Sequence, residues 1–202
     1  AGQLDDALVI VAGDHGEGLM QHGHKEHGLL IYEEAVRVPL VFRLPGHVGG
    51  GRIVSAPVQL VDLTPTILDL VGVPPLGGRS EGISLAPVLA GAAEPDRDRP
   101  VFLQRRFYDT EAIDGVRIQG AKYAVRIDRW KYIVAKEEGS YELYDLEADP
   151  AELRNLYAEH PQPAVKLTAA LEDWLRSPGV DSPEQTVSEE DANRLRSLGY
   201  VQ

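Results

Sequence analysis

The first half of the chain alternates short, continuous apolar runs with polar loops. Residues 8–11 and 38–44 are rich in β-branched side chains, and the second run ends at a Pro-Gly pair. Runs of this length and composition predict strands that are buried on both faces, as in a parallel sheet. A histidine-rich loop and a short predicted helix at residues 31–36 lie between them. Two buried strands with a helix between them indicate an α/β layer.

A longer helix is predicted at residues 61–72, where the apolar positions form a stripe. Thr64 is a suitable N-cap, Pro65 suits the first turn, and Gly72 suits the end of the helix. A short helical turn is expected at residues 85–89.

The pattern changes after residues 91–100, a polar and charged segment that contains helix- and strand-breaking residues. We place a domain boundary there, which divides the chain into residues 1–95 and 96–202. Beyond it, strand-like runs are followed by helical patterns. They predict an antiparallel meander of four strands, an amphipathic helix and a final short helix, at residues 101–108, 122–127, 130–135, 141–144, 164–175 and 188–198.

The charge balance and the lack of cysteine exclude several classes of partner and chemistry. The 202 residues include 32 acidic and 20 basic side chains, which gives a net charge of -12. Such a surface repels nucleic acid and anionic membranes, so we expect neither as a partner. Without cysteine the chain has no disulfide, no thiolate metal site and no cysteine nucleophile. The compartment stays open between the bacterial periplasm and the cytoplasm.

Four of the six histidines lie between positions 15 and 27. Asp14 and His15 stand just beyond the predicted strand at residues 8–11, at the edge where α/β sheets bind ligands. A carboxylate beside an imidazole offers one oxygen and one nitrogen to a divalent cation. Local hydrogen bonding in a surface loop is the alternative interpretation, and spacing alone leaves both open.

A longer set of motifs carries a family resemblance. It begins with DHGEGL at residues 14–19, HG at 22–23 and again at 27–28, and YEEAVRVPL at 32–40. It continues with VDLTPTIL, GISL, WKY, ELYDL and DPAELRNL, at residues 61–68, 82–85, 130–132, 142–146 and 149–156. In this order the motifs resemble the sulfatase family of the alkaline-phosphatase-like superfamily, over nearly the whole chain. The implied fold class is α/β: part of an alkaline-phosphatase-like, mostly parallel sheet with helices, followed by a small C-terminal antiparallel sheet packed on a helix.

The resemblance also implies site residues. Asp14 and His15 match half of the family's metal-binding set, for which Ca²⁺ is the expected ion and Mn²⁺ the alternative. His27 or Lys25 matches the basic residue that contacts the sulfate or assists the leaving group. Independently of the resemblance, Glu33 and Glu34 are candidates for carboxylates that hydrogen-bond to the ligand residues of this site; the alternative for one of them is support of a helix terminus. His22 belongs to the motif without an assigned role.

The family's nucleophile motif, Cys- or Ser-x-Pro-x-Arg, is absent from this sequence. Its first residue becomes formylglycine, which is therefore expected only in a missing N-terminal half, together with the first acidic pair of the metal site. We expect a C-terminal portion of a polypeptide about twice this length or more. These 202 residues alone are predicted to give no turnover.

Three functions follow as alternatives. The first is hydrolysis of a small-molecule or carbohydrate sulfate ester by the complete protein. The second keeps the fold and hydrolyses phosphonate monoesters or phosphodiesters. The third is a noncatalytic remnant that binds a partner or a metal. If the sheet is truncated, self-association through its exposed edge is expected.

Overall fold

A computed structural model describes residues 4–46, 48–75, 81–110, 112–113 and 115–177. The two predicted N-terminal strands are present as β1 (Val9–Ala12) and β2 (Leu40–Arg43). They pair antiparallel, with Val11 opposite Val41, so the expected parallel arrangement does not apply to this pair.

Burial of these strands on both faces was the expectation, and within the described ranges it is wrong. Val11 is 57% exposed and Val41 is 56% exposed. A continuous apolar run predicts that both faces of a strand are covered by apolar groups, but it does not identify the element that covers them. Self-association through this open sheet stays a prediction.

Three short helices follow the first loop. They are α1 (Glu33–Val36), α2 (Leu63–Leu70), which continues a 3₁₀ turn at Leu60–Asp62, and α3 (Ala86–Leu89). The residue before α2 is Asp62, so the prediction of Thr64 as its N-cap is wrong. Gly72 has a φ of 70° just after α2, which confirms its role in ending the helix.

Asp62 anchors the helical segment to the start of the C-terminal part. It is fully buried, and its two carboxylate oxygens accept hydrogen bonds from Arg99 at 2.8 Å each. The amides of Gln59 and Ile83 also donate to it, at 3.0 and 2.9 Å. One buried carboxylate thus joins α2, the approach to α3 and the segment that leads into the next strand.

The described C-terminal residues form six strands, β3 (Val101–Tyr108), β4 (Ala112–Ile113), β5 (Val116–Arg117), β6 (Gly120–Ile127), β7 (Trp130–Ala135) and β8 (Ser140–Asp145). Four of them make an antiparallel sheet in the order β3-β6-β7-β8, which confirms the predicted meander. The other two, β4 and β5, pair as a hairpin that the sequence did not predict and that is inserted after β3.

The amphipathic helix is α4 (Pro161–Leu175), and it covers one face of this sheet. Its apolar side chains Leu167 and Leu171 pack with the sheet residues Val125 and Leu143 in a closed core. The final helix predicted at residues 188–198 lies outside the described residues. Of the helices that the structure describes, none is long and apolar enough to span a membrane.

The opposite face of the sheet carries the segment around α1. Ile31 packs there with Ala124, Ile133 and Tyr144, and Tyr32 borders the same cluster. The C-terminal sheet therefore lies directly behind the helix that follows the histidine-rich loop. This packing determines where the loop is held.

Candidate functional site

The loop after β1 docks on α1 through its backbone. The Gly16 amide donates to the Ala35 carbonyl at 2.8 Å, and the Glu17 amide donates to the Glu34 carbonyl at 2.9 Å. A Cβ atom on Gly16 would stand 2.0 Å from the Glu34 carbonyl oxygen. Only glycine permits this close approach, so the position of Asp14 and His15 is coupled to that of α1.

Asp14 and His15 present two open metal-donor groups. The Asp14 Oδ1 atom accepts the His15 amide at 3.0 Å, and His15 Nδ1 lies 2.9 Å from the Gly16 carbonyl oxygen. Since a carbonyl only accepts, Nδ1 carries a proton, and in the neutral imidazole Nε2 is then the nitrogen with the free lone pair. Nε2 lies 3.7 Å from Asp14 Oδ2, and the two side chains are 44% and 83% exposed.

These two atoms fit part of a divalent-cation site. Their separation is shorter than twice the roughly 2.4 Å metal–ligand distance of Ca²⁺, so one ion can contact both. In the part of the chain that the structure describes, no three His, Asp or Glu side chains converge on one point. The half-site stays a prediction.

His27 joins this pair and Lys25 does not. The rings of His27 and His15 are stacked, with centroids 3.7 Å apart and planes 19° apart. His27 Nδ1 lies 3.4 Å from a carboxylate oxygen of Glu17. Lys25 is exposed, and its side chain does not line the cleft in which these groups stand. Of the two basic candidates, the geometry favours His27.

The cleft beside these residues has a volume of about 1300 Å³. Its lining includes Asp14, His15 and His27, the segment 53–61, the first five residues of β3 and one residue of β6. Cationic, anionic, apolar and aromatic side chains all contribute to it. The lining includes Glu33, Arg37, Arg99, Phe102, Gln104, Arg126 and Trp174.

Both ring nitrogens of His22 have protein partners, so this ring positions the loop and is not open to a ligand. Its Nδ1 atom makes a short hydrogen bond with Glu34, and its Nε2 lies 3.2 Å from the carbonyl oxygen of Glu152. The ring also stacks on Tyr32 at 3.7 Å. His22 thus ties the tip of the loop to α1 and to the C-terminal sheet. Glu34 thus contacts the loop through His22, and its support of the metal pair stays a prediction.

Glu33 uses its carboxylate in a buried charge cluster. Lys131, which is fully buried, lies 3.2 Å from Glu33 and 2.9 Å from Glu152, and Arg126 lies 3.3 Å from Glu33. Burial raises the pKa of the Glu152 carboxyl, and the charge of Lys131 opposes that effect. The Glu33 amide donates to Glu152 Oε2 at 2.5 Å. This cluster fixes the start of α1 against β7.

A second buried carboxylate lies on the same face of the sheet. Glu142 accepts hydrogen bonds from Ser140 and Tyr32 at 2.7 Å and from Tyr144 at 2.8 Å. Burial acts to raise the pKa of Glu142, but the three hydroxyl donors outweigh it and the pKa is lowered. Burial beside this carboxylate raises the pKa of Tyr32 and Tyr144. Tyr32 therefore reaches its partner as a neutral donor.

Comparison with known families identifies the domain. The model for the family called N-sulphoglucosamine sulphohydrolase, C-terminal, matches residues 21–177. The chain belongs to this family. The resemblance of its motifs to the sulfatases is therefore confirmed.

Individual relatives agree with this assignment. The sulfatase domain is 35% identical over 188 residues to arylsulfatase K of Gallus gallus, covering 90% of this chain and 34% of the relative. Its fold resembles a protein solved with its substrate D-glucosamine-2-N,6-O-disulfate, with a TM-score of 0.72 and 27% identity, covering 92% of this chain and 37% of the other. It also resembles the phosphonate monoester hydrolase of Agrobacterium radiobacter, with a TM-score of 0.65 and 34% identity, covering 85% and 34% of the two chains.

These matches confirm the predicted α/β fold class. The sulfatase domain spans about a third of the length of the curated relatives that it matches. The division at residue 95 stays a prediction.

Sequence reasoning overlooked three residues that the structure places at or behind the site. Glu17 belongs to the leading motif. Its pairing with His27 depends on the path of an irregular loop, which no helix or strand spacing predicts. Lys131 and Glu152 lie in the WKY and DPAELRNL motifs, to which the sequence analysis assigned no site residue. Lys131 shares a strand face with Ile133 and Ala135, and a lysine in such an apolar row was the available signal.

Proposed function

We propose that the protein containing this sulfatase C-terminal domain is a metal-dependent sulfatase that hydrolyses sulfate esters. Asp14 and His15 would hold one side of a divalent cation. The observation that carries this proposal is the open pair of donors, His15 Nε2 and Asp14 Oδ2, 3.7 Å apart at the end of β1. His27 stacks beside them and supplies a second function to the same cleft.

The cation, when bound, would stabilise the negative charge that develops on the transferred group. The remaining tasks fall to residues of this chain. Glu17 accepts from His27 Nδ1 and orients the ring. This leaves His27 Nε2 to contact a sulfate oxygen or to move a proton to the departing alkoxide. His15 is held in the required tautomer by the Gly16 carbonyl.

Ca²⁺ is the ion that we propose, because carboxylate oxygens are hard ligands and the family resemblance favours oxygen donors. The imidazole of His15 makes Mn²⁺ the alternative, since nitrogen ligands suit transition metals better. A formylglycine nucleophile is proposed for the sequence outside these 202 residues, which contain no Cys- or Ser-x-Pro-x-Arg motif. The isolated 202-residue chain is therefore expected to release no sulfate.

A sulfated carbohydrate is the substrate class that we propose. One structural relative was solved with a disulfated glucosamine as its substrate. The cleft of about 1300 Å³ is large enough for a sugar, and its wall combines charged groups with Phe102 and Trp174. Aromatic and polar groups together suit the apolar faces and hydroxyl groups of a sugar ring.

The test uses the protein as it is encoded, with any sequence that flanks these residues. An aryl sulfate is supplied with Ca²⁺ or Mn²⁺, and sulfate release is measured for the wild type, Asp14→Ala and His15→Ala. Each substitution is expected to lower kcat/KM at least about 100-fold by removing a metal ligand. Lys25→Ala, a nearby basic residue outside the cleft, should change kcat/KM less than about threefold. Full activity of Asp14→Ala would overturn the metal assignment.

Phosphonate monoester hydrolysis is the second candidate. It is supported by the 34% identity to the phosphonate monoester hydrolase of Agrobacterium radiobacter. Both substrates present a tetrahedral anion, so Asp14, His15 and His27 would serve either reaction. The two are separated by comparing kcat/KM for an aryl sulfate with that for an aryl phosphonate monoester. A clear preference for the phosphonate would reject the sulfatase proposal and keep the metal site.

A further inference from the structure

Glu152 occupies an unusual position in the loop after β8. Its residue surface is 1% exposed, and its backbone φ is 54°, a conformation that side chains other than glycine rarely adopt. It lies 138 positions after Asp14 in the sequence. A buried acidic residue in a strained backbone conformation requires compensating contacts. Glu152 makes such contacts through its side-chain carboxylate and through its backbone carbonyl.

The side chain of Glu152 holds the start of α1. One carboxylate oxygen lies 2.9 Å from the Lys131 ammonium, and the other accepts the Glu33 amide at 2.5 Å. Lys131 also contacts the Glu33 carboxylate at 3.2 Å. Because Lys131 is fully buried, removing the negative charge of Glu152 would leave this ammonium with Glu33 alone.

The backbone of Glu152 holds the histidine-rich loop. Its carbonyl oxygen accepts from His22 Nε2 at 3.2 Å, and the other ring nitrogen of His22 bonds to Glu34. The φ of Glu152 turns this carbonyl and its side chain to the loop and to α1 at once.

The path from α1 to Asp14 is short and leaves little freedom. The carbonyls of Glu34 and Ala35 accept the amides of Glu17 and Gly16, directly beside His15. A Cβ atom added to Gly16 would lie 2.0 Å from the Glu34 carbonyl oxygen, which shows how closely the two backbones approach each other. A displacement of α1 would therefore move the loop that carries the two donor groups.

We propose that Glu152 is a positioning residue for the Asp14-His15 site. It connects the C-terminal sheet to that site by its carboxylate, through α1, and by its carbonyl, through His22. This inference rests on the proposed function for its catalytic consequence. Its structural consequence, a histidine-rich loop held in place by a residue of the segment that follows β8, is measured without any substrate.

The experiment measures hydrogen–deuterium exchange by mass spectrometry in the protein as it is encoded. The wild type is compared with Glu152→Gln, which keeps the size of the side chain and removes its charge. A peptide covering residues 13–22 reports the loop, and a peptide from β6 and β7 reports the sheet. In Glu152→Gln the loop peptide is expected to exchange at least about tenfold faster, with a smaller change in the sheet peptide.

Asp62→Asn is the matched control, because Asp62 is also a fully buried carboxylate paired with a cation but touches neither α1 nor the loop. Its loop peptide should exchange less than about threefold faster than that of the wild type. Equal acceleration of loop and sheet in Glu152→Gln, or no acceleration of the loop, overturns the proposal. Selective acceleration that Asp62→Asn reproduces overturns it as well.

His22→Ala provides a second variant if Glu152→Gln does not fold. It removes the direct contact of the loop with the Glu152 carbonyl and leaves the Lys131 cluster intact. Selective acceleration of the same loop peptide is expected again, and an unchanged peptide would count against the proposal.

A Ca²⁺ titration separates the two levels of inference. Glu152→Gln should weaken binding of Ca²⁺ alone at least about tenfold, whereas Asp62→Asn should not. If the wild type binds no Ca²⁺ or Mn²⁺ and hydrolyses neither ester, the proposed function fails. The exchange result then still decides whether Glu152 positions the loop.

Discussion

The imidazole rings of His15 and His27 stack with their centroids 3.7 Å apart, although twelve positions of the sequence separate them. His15 directs Nδ1 to a backbone carbonyl, and His27 directs Nδ1 to Glu17. The Nδ1 atoms of the two rings therefore have different partners, a backbone carbonyl for His15 and a carboxylate for His27. This arrangement fits the separate roles that we propose for the two neighbouring imidazoles, a metal donor and a proton carrier.

Replacing His27 by Ala is expected to lower kcat of the encoded protein about 10²- to 10⁴-fold, because a positioned acid or base contributes that much to a proton transfer. The fall should appear in kcat for substrates with poor leaving groups and shrink for an aryl sulfate with a good one. Lys25→Ala is the control, since Lys25 lies outside the cleft. Equal losses for both leaving groups would contradict a role in proton transfer.

Gly16→Ala tests the tight docking of the loop on α1. The added Cβ would meet the Glu34 carbonyl oxygen at 2.0 Å, so the backbone must shift, at a cost of about 1–3 kcal/mol of unfolding free energy. Ca²⁺ affinity and kcat/KM should fall with it, because Asp14 and His15 move with the loop. Gly50→Ala is the matched control, since a Cβ there meets nothing within 4 Å. Urea unfolding and Ca²⁺ titration of both variants provide the measurement, and equal behaviour would refute the packing argument.

The C-terminal sheet was predictable because its alternation and turns are local. Trp130 and Tyr132 point to the face covered by α4, while Ile133 points to the α1 face, as period-two alternation requires. The exposure of Val11 and Val41 was not predictable, because an apolar run does not identify the element that covers it. Whether the side chains of these two strands are covered depends on elements other than the two strands themselves.

The candidate site was predictable only where its residues are contiguous. Asp14 and His15 adjoin each other, and their motif alone identifies them as the proposed metal pair. Lys131 and Glu152 contact the Glu33 carboxylate, the Glu33 amide and His22 from more than a hundred positions away in the sequence. Such contacts depend on how the C-terminal sheet docks on α1, which no local pattern encodes.

Tyr32→Phe tests the hydroxyl cluster around Glu142. The substitution removes a 2.7 Å hydrogen bond to a buried carboxylate and should lower the free energy of unfolding by about 1–3 kcal/mol. It also removes one of the donors that lower the pKa of Glu142, so that pKa should rise. Tyr157→Phe, a partly exposed tyrosine stacked on Tyr141, is the control and should change stability by less than about 0.5 kcal/mol. Urea unfolding at neutral pH measures both, and equal losses would contradict a special role for the cluster.

The Asp62–Arg99 pair predicts a specific pH dependence of stability. Burial alone would raise the pKa of Asp62, but hydrogen bonds from Arg99, Ile83 and Gln59 outweigh it and lower the pKa below its ordinary value. A carboxyl with a lowered pKa in the folded state stabilises the protein above its unfolded pKa of about 4. That contribution is lost as the pH falls through the lower, folded value.

Asp62→Asn should therefore destabilise the protein most at neutral pH, by about 3 kcal/mol, because it leaves Arg99 without its charged partner. As the pH falls below about 4, the wild type loses the same contribution and the difference between the two proteins should narrow. Urea unfolding at several pH values between neutrality and acid measures this difference. The exposed pair Arg154–Glu159 provides the control, and Glu159→Gln should change stability by less than about 1 kcal/mol throughout. A difference between wild type and Asp62→Asn that stays constant down to acid pH would show that the charge of Asp62 does not stabilise the fold.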